Sequence, residues 1–119
     1  MGSIYETNAI LRRPPHGQGS TEPGETKAFS TAGAGSTAAL DILGSDSITS
    51  YVVFRFTQDG YIRFGGSAVA AATVFDWPVK AGEVWEWLLC GKIDRYARML
   101  RAGANDVTCN YYQSDRPPT

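Results

Sequence analysis

Hydrophobic and polar positions alternate along residues 51–57: Val52, Phe54 and Phe56 share one side, and Tyr51, Val53 and Arg55 the other. A period of two predicts a β-strand with one buried face. Residues 61–64 continue the pattern, with Ile62 and Phe64 opposite Tyr61 and Arg63. Asp59-Gly60 between the two runs reads as a tight turn, because glycine accepts positive φ cheaply. The two runs are therefore expected to form a β-hairpin, ended by Gly65-Gly66.

The same alternation appears at 84–90, where Trp85, Trp87 and Leu89 oppose Glu86, and at 107–112, where Val107, Cys109 and Tyr111 oppose Thr108, Asn110 and Tyr112. Shorter strands are expected at 27–30 and at 37–43, the latter with Leu40 and Ile42 opposite Asp41. Residues 32–36 and 44–49 read as turns. Residues 67–73 read as a strand or ordered loop, 76–79 as a bend around Pro78, and 80–83 as a further turn.

One segment carries two signals. Ile93, Tyr96, Ala97 and Leu100 stand at helical spacing, which would turn Lys92, Arg95, Arg98 and Arg101 to solvent. Strand signals surround the segment, and 107–112 looks like its hairpin partner across Gly103-Ala104-Asn105-Asp106. Since tertiary context overrides propensity, a strand is expected. Seven or eight short strands between turns predict an all-β fold, an antiparallel β-sandwich with jelly-roll-like connectivity. Burying Val52, Phe54, Phe56, Ile62, Phe64, Leu89 and Val107 would contribute about 1.5–3 kcal/mol each.

Residues 1–25 break with this pattern. They hold few large apolar side chains, and the run Arg12-Arg13-Pro14-Pro15-His16-Gly17-Gln18-Gly19-Ser20 cannot bury enough surface to order itself. Pro14, Pro15 and Pro23 favour extended backbone. The segment reads as an extended N-terminal arm held by the chain's own body or by neighbouring chains, with Ile4, Tyr5, Ile10, Leu11, Arg12 and Arg13 as partner-binding anchors. The expected organisation is an arm at 1–25, a sandwich domain at 26–113 and a C-terminal tail at 114–119.

Size and composition narrow the function classes. A chain of 119 residues favours one domain. A formal net charge of -1 gives no overall field to draw nucleic acid or anionic lipid. No apolar run approaches the roughly 20 residues of a membrane-spanning helix, and no apolar signal-peptide core opens the chain, so neither a membrane partner nor a leader is expected. Cys90 and Cys109 are too few and too far apart for a disulfide framework or a metal signature. They read as free thiols, a bridge staying open if their strands are neighbours.

Catalytic chemistry is not indicated. The single histidine, His16, lies in the arm, a poor frame for a general base. Asp76, Glu83, Glu86 and Asp94 supply carboxylates, but nothing places two of them across one cleft, and solvent-facing strand positions account for Glu86 and Asp94. Gly33-Ala34-Gly35-Ser36 lacks the lysine and helix of a phosphate loop. No cofactor, no metal and no enzyme activity are expected. Lys92, Arg95, Arg98 and Arg101 offer positive charge beside Tyr96, but a solvated face or pairing with acidic residues on a neighbouring subunit explains them better than nucleic acid. Trp77, Trp85 and Trp87 cluster near Phe75. If Trp85 and Trp87 point inward, Trp77 is left near a loop as a contact residue, for a partner subunit or a sugar.

The order Tyr61-Ile62-Arg63-Phe64-Gly65, small residues through Ala72-Thr73, the bend Asp76-Trp77-Pro78-Val79 and the turn Ala81-Gly82-Glu83 resembles small virion proteins of tailed bacteriophages, in particular head decoration (cement) proteins. The resemblance spans about residues 50–112 and leaves out the arm. It implies a β-sandwich on the capsid surface, a homo-oligomer that staples major capsid protein subunits and is assembled in the host cytoplasm. It brings no catalytic residues. A head–tail, tail or fibre component, and a carbohydrate-binding β-sandwich module, stand as alternatives.

Overall fold

A computed structural model of the chain describes residues 26–114. They form eight strands: β1 (Lys27–Ser30), β2 (Leu40–Asp41), β3 (Thr49–Phe56), β4 (Gly60–Gly65), β5 (Trp77–Val79), β6 (Val84–Cys90), β7 (Tyr96–Arg101) and β8 (Thr108–Gln113). Two four-stranded sheets result, ordered β1-β8-β3-β6 and β2-β7-β4-β5, and every pairing is antiparallel. The chain is an all-β sandwich. Its strands pair first with last, second with seventh, third with sixth and fourth with fifth. That is one long antiparallel ladder folded at β4–β5 and wrapped around a core, the plan of a jelly roll.

The wrapping overturns both expected hairpins. β3 and β4 lie in opposite sheets, as do β7 and β8. The reason is hydrogen-bond capacity. β3 has two edges, and β6 and β8 occupy both. β4 is likewise flanked by β5 and β7. The link through Asp59 therefore arches from one sheet to the other. Its ends are fastened by Ala81 N donating to Asp59 Oδ1 (2.9 Å) and Ala102 N donating to the Asp59 carbonyl (3.1 Å). Gly60 serves space rather than positive φ, because a Cβ there would stand 2.7 Å from the Leu100 carbonyl oxygen.

Other expectations need smaller changes. Residues 37–43 pair with β7 as a strand only at Leu40–Asp41. Thr37 N and Ile42 N donate to the Met99 and Arg95 carbonyls on either side, so the run still follows β7. Residues 67–73 are loop, and Pro78 sits in β5, an edge strand where its missing N–H costs no ladder bond. Residues 96–101 form a strand, as expected against the helical spacing.

The core lies between the sheets. Val52, Phe54 and Phe56 of β3, Trp85 and Leu89 of β6, and Cys109 and Tyr111 of β8 face Ile62 of β4, Val79 of β5 and Ala97 and Met99 of β7. Phe54 is its centre. Its ring meets Phe64 across the sandwich (5.6 Å between centroids), Trp87 (5.3 Å), Tyr111 (6.0 Å) and Phe56 (6.4 Å). Aromatic pairs at such separations add about 0.5–1.5 kcal/mol each beyond their buried area. Cys90 and Cys109 are both free, and burial pushes the Cys109 thiol well above its ordinary pKa, which makes it inert.

The arginines expected at a solvated face instead lock loops to β7. Arg98 donates to the Thr37 carbonyl (2.7 Å) and the Val69 carbonyl (3.0 Å), and Arg101 to the Ala104 carbonyl and Asp106. Arg95 forms a two-pronged pair with Asp41, at 2.8 and 2.7 Å. That fork, helped by the Gly44 N–H, holds the Asp41 carboxyl below the usual carboxylate range. A depressed carboxylate stabilises the fold above its unfolded pKa, about 4, and loses that contribution as pH falls through the folded value. Chemical denaturation between about pH 6 and pH 2 should therefore show a shallower acid loss of stability in Asp41→Asn than in the parent. The variant should also be the less stable of the two at neutral pH.

Candidate partner-binding site

The sandwich is open along one side, where the edge strands β5 and β6 face each other across the two layers. The sequence fills this seam with tryptophan. Period-two alternation turns both Trp85 and Trp87 inward from β6, and their rings stack 5.5 Å apart at 3°. Trp77 on β5 stands edge-on to both, at 5.9 and 6.5 Å. The Trp85 indole N–H donates to Glu83 Oε1 (3.0 Å), which also accepts from the Lys80 backbone N–H (2.9 Å) and so ties the β5–β6 turn to the ring stack. Trp77 keeps 43% of its surface exposed while Trp85 is buried. The expected division, with two tryptophans inward and Trp77 outermost, is what the structure has.

Trp77 and Trp87 line a cleft of about 230 Å³ with Phe64, Leu88, Leu89 and Asp94. Its walls are aromatic and aliphatic, and Asp94 supplies a carboxylate. Burial raises the pKa of Asp94, and a backbone hydrogen bond at Cys90 only partly offsets this. The solvent-facing position expected for Asp94 is thus a half-buried one. Sequence spacing hid this, because residues 91–95 form a turn that folds the side chain back toward β6.

Other large apolar side chains are exposed as well. Phe75 is 93% exposed, Ile93 65%, Val74 57% and Leu88 42%. Phe75 is not on a loose tip. Asp76 Oδ2 accepts from Thr73 N (2.7 Å) and from the Thr73 hydroxyl (3.3 Å), and Thr73 Oγ1 accepts from Phe75 N (3.2 Å). Asp76 Oδ1 pairs with Arg63 Nε at 3.0 Å, fastening the loop to β4. The loop backbone that carries Phe75 is therefore held in place, which lowers the backbone entropy cost of using it as a contact. Phe75 entered the sequence reading only as a neighbour of the tryptophans; its place between Thr73 and Asp76, a side chain that caps its own turn, was the available signal.

The anchors expected in the arm, Ile4, Tyr5, Ile10, Leu11, Arg12 and Arg13, lie outside the described residues, as does His16. Among the described residues no three histidine, cysteine or carboxylate side chains converge as metal ligands. A second, polar cleft of about 280 Å³ lies where residues 58–59 approach 102–105, lined mainly by small and amide side chains with Asp59.

Comparison with known proteins finds no family model, curated protein or solved structure that matches the chain.

Because folding raises the Asp94 pKa, its ionised form opposes folding, and that penalty is absent at pH values below the unfolded pKa, about 4. Asp94→Asn should therefore be more stable than the parent at pH 7. The two should converge near pH 3, as read from denaturant midpoints at both values.

Proposed function

We propose that the chain is a non-enzymatic structural protein of a tailed-phage particle, a capsid decoration protein that binds the major capsid protein lattice and stabilises it from the outer surface. The observation that carries this reading is an aromatic rim: Phe75, almost fully exposed on a hydrogen-bonded loop, and, two residues on, Trp77, half exposed at the mouth of the apolar cleft. Single exposed apolar residues are ordinary on protein surfaces. An almost fully exposed phenylalanine on a hydrogen-bonded loop, close in sequence to a half-exposed tryptophan that lines an apolar cleft, offers the aromatic anchors that a partner-binding surface uses. The jelly-roll plan is compatible with a capsid role, since viral capsid proteins use it, although lectins and cupins do as well and the fold alone does not choose. Two free thiols fit assembly in a reducing cytoplasm. A homo-oligomer on the capsid surface would place several such rims on the lattice at once and multiply weak contacts.

One observation favours a second reading. Trp77 and Trp87 beside the Asp94 carboxylate also make a stacking platform with a hydrogen-bond acceptor, the chemistry of a sugar site.

Phe75→Ser should weaken co-sedimentation with decoration-free heads of the encoding phage several-fold while leaving the denaturation midpoint nearly unchanged, because Phe75 is 93% exposed and contributes little to the core. Binding at full strength by this variant would sink the rim as the capsid contact. A glycan-array signal lost in Trp77→Ala would move the assignment to the carbohydrate module.

A further inference from the structure

The acidic side chains of the described residues differ in what meets them. Asp41 pairs with Arg95 (2.7 Å), Asp76 with Arg63 (3.0 Å), Asp106 with Arg101 (3.1 Å) and Asp59 with Lys80 (3.8 Å). Asp46 is exposed to water. Glu86, expected at a solvent-facing position, is instead only 3% exposed. Asp94 is half buried in the seam cleft, and no lysine or arginine of the described residues pairs with it. Its turn is fastened at both ends, by Gly91 N donating to the Ile48 carbonyl (2.7 Å) and Asp94 N donating to the Cys90 carbonyl (2.7 Å). Since the ionised form of Asp94 opposes folding, the chain holds this charge against its own stability, the pattern of a group that serves binding. Around it stand rings at steep angles. Phe64 and Trp77 lie at 71° and 84° to Trp87, with centroids 5.3 and 6.5 Å from its own. Ring planes in more than one orientation beside a carboxylate are the parts of a cation site, because the faces of aromatic rings carry negative potential.

We propose that the cleft is a receptor for one arginine side chain of a protein partner, with the guanidinium against the Trp77 and Trp87 rings and forked onto the Asp94 carboxylate. Three observations select this occupant. The first is charge. A carboxylate drawn out of water is stabilised by a cation, and the described residues supply none here, so the cation has to come from outside. The second is the make-up of the walls. Phe64, Leu88 and Leu89 offer nothing to a hydroxyl, so a sugar ring would leave much of its polar rim unmatched, whereas a guanidinium concentrates its donors on one edge. Arginine suits the site better than lysine, since its planar head stacks on aromatic rings, forks onto a carboxylate and is more weakly hydrated than an ammonium. The third is continuity. The cleft of about 230 Å³ opens between Trp77, 43% exposed, and Leu88, 42% exposed. These two apolar side chains would cover the stem and backbone of an arginine presented by a partner's surface, which a free small cation lacks. The assignment rests on the reading of this seam as a partner-binding surface, not on which particle the partner belongs to.

The test is titration of the full-length chain at neutral pH and constant ionic strength with the capped tripeptide Gly-Arg-Gly, followed by the assigned indole N–H signals in nitrogen–proton correlation spectra. The expected result is a saturable, millimolar response of Trp77 and Trp87. Trp85, whose N–H is held by Glu83, should move least. Asp94→Asn, expected to be more stable than the parent at this pH, should weaken binding several-fold, and capped Gly-Lys-Gly should bind the parent several-fold more weakly than the arginine peptide. No saturable response would overturn the proposal, and so would undiminished binding by Asp94→Asn. Equal affinity for the lysine peptide would overturn the choice of arginine. Tighter binding of methylguanidinium than of the tripeptide would overturn the choice of a protein side chain. A Trp77 and Trp87 response to the methyl glycosides of glucose, galactose or mannose, with none to the arginine peptide, would give the cleft to a sugar. Arginine binding by a chain that ignores phage heads would support the cleft assignment and contradict the capsid reading, so the two can fail separately.

Discussion

The aromatic layer around Phe54 is the contact on which the two sheets depend. Its ring meets aromatic rings from β3, β4, β6 and β8, and of these ring pairs the one with Phe64 crosses from one sheet to the other. Phe64 and Trp87 also meet directly, at 5.3 Å, so the layer runs from the centre of the core to the open seam. Truncating a buried phenylalanine costs about 3–5 kcal/mol, a large share of the stability of a small domain. The same layer sets the position of the cleft. Trp87 packs on Phe54 with one side and lines the cleft with another, and Trp77 stands on the Trp85–Trp87 stack. Core and candidate site are one continuous packing of rings, which makes the site rigid without any dedicated scaffold.

Strand positions were legible in the sequence because side-chain alternation reports burial directly. β3, β4, β6 and β8 stand within a few residues of the runs that alternation marks. Strand partners were not legible. A two-residue turn signal such as Asp59-Gly60 is compatible both with a hairpin and with an arch between sheets, since both turn Phe54 and Ile62 toward the same core. Only the count of occupied edges on β3 decides between them, and that is a property of the whole fold. The arginine spacing in 95–101 misled for a related reason. Arg95, Arg98 and Arg101 match a helical surface, but Arg95 binds the Asp41 carboxylate of β2 and Arg98 and Arg101 bind carbonyls of neighbouring loops, so these cations act as fasteners rather than as a charged face.

At the candidate site the sequence singled out Trp77 correctly as the outermost of the three tryptophans. It did not reveal Asp94 as a cleft residue or Phe75 as the most exposed large apolar side chain among the described residues, because both depend on how short turns fold back on the sheet edge. Glu86 was the clearest failure. Alternation gave its direction, outward, and outward was equated with solvent. Burial on an outer face requires a covering element, and alternation along one strand carries no information about that.

A decoration protein must be present on the head in many copies, whereas a tail component or a secreted sugar-binding module need not be there at all. The most direct measurement is quantitative mass spectrometry of purified particles of the tailed phage that the proposal takes as the chain's source, after separation of heads from tails. The proposal predicts the chain in the head fraction, in numbers comparable to the major capsid protein. Recovery only with tails, or absence from particles, would contradict it.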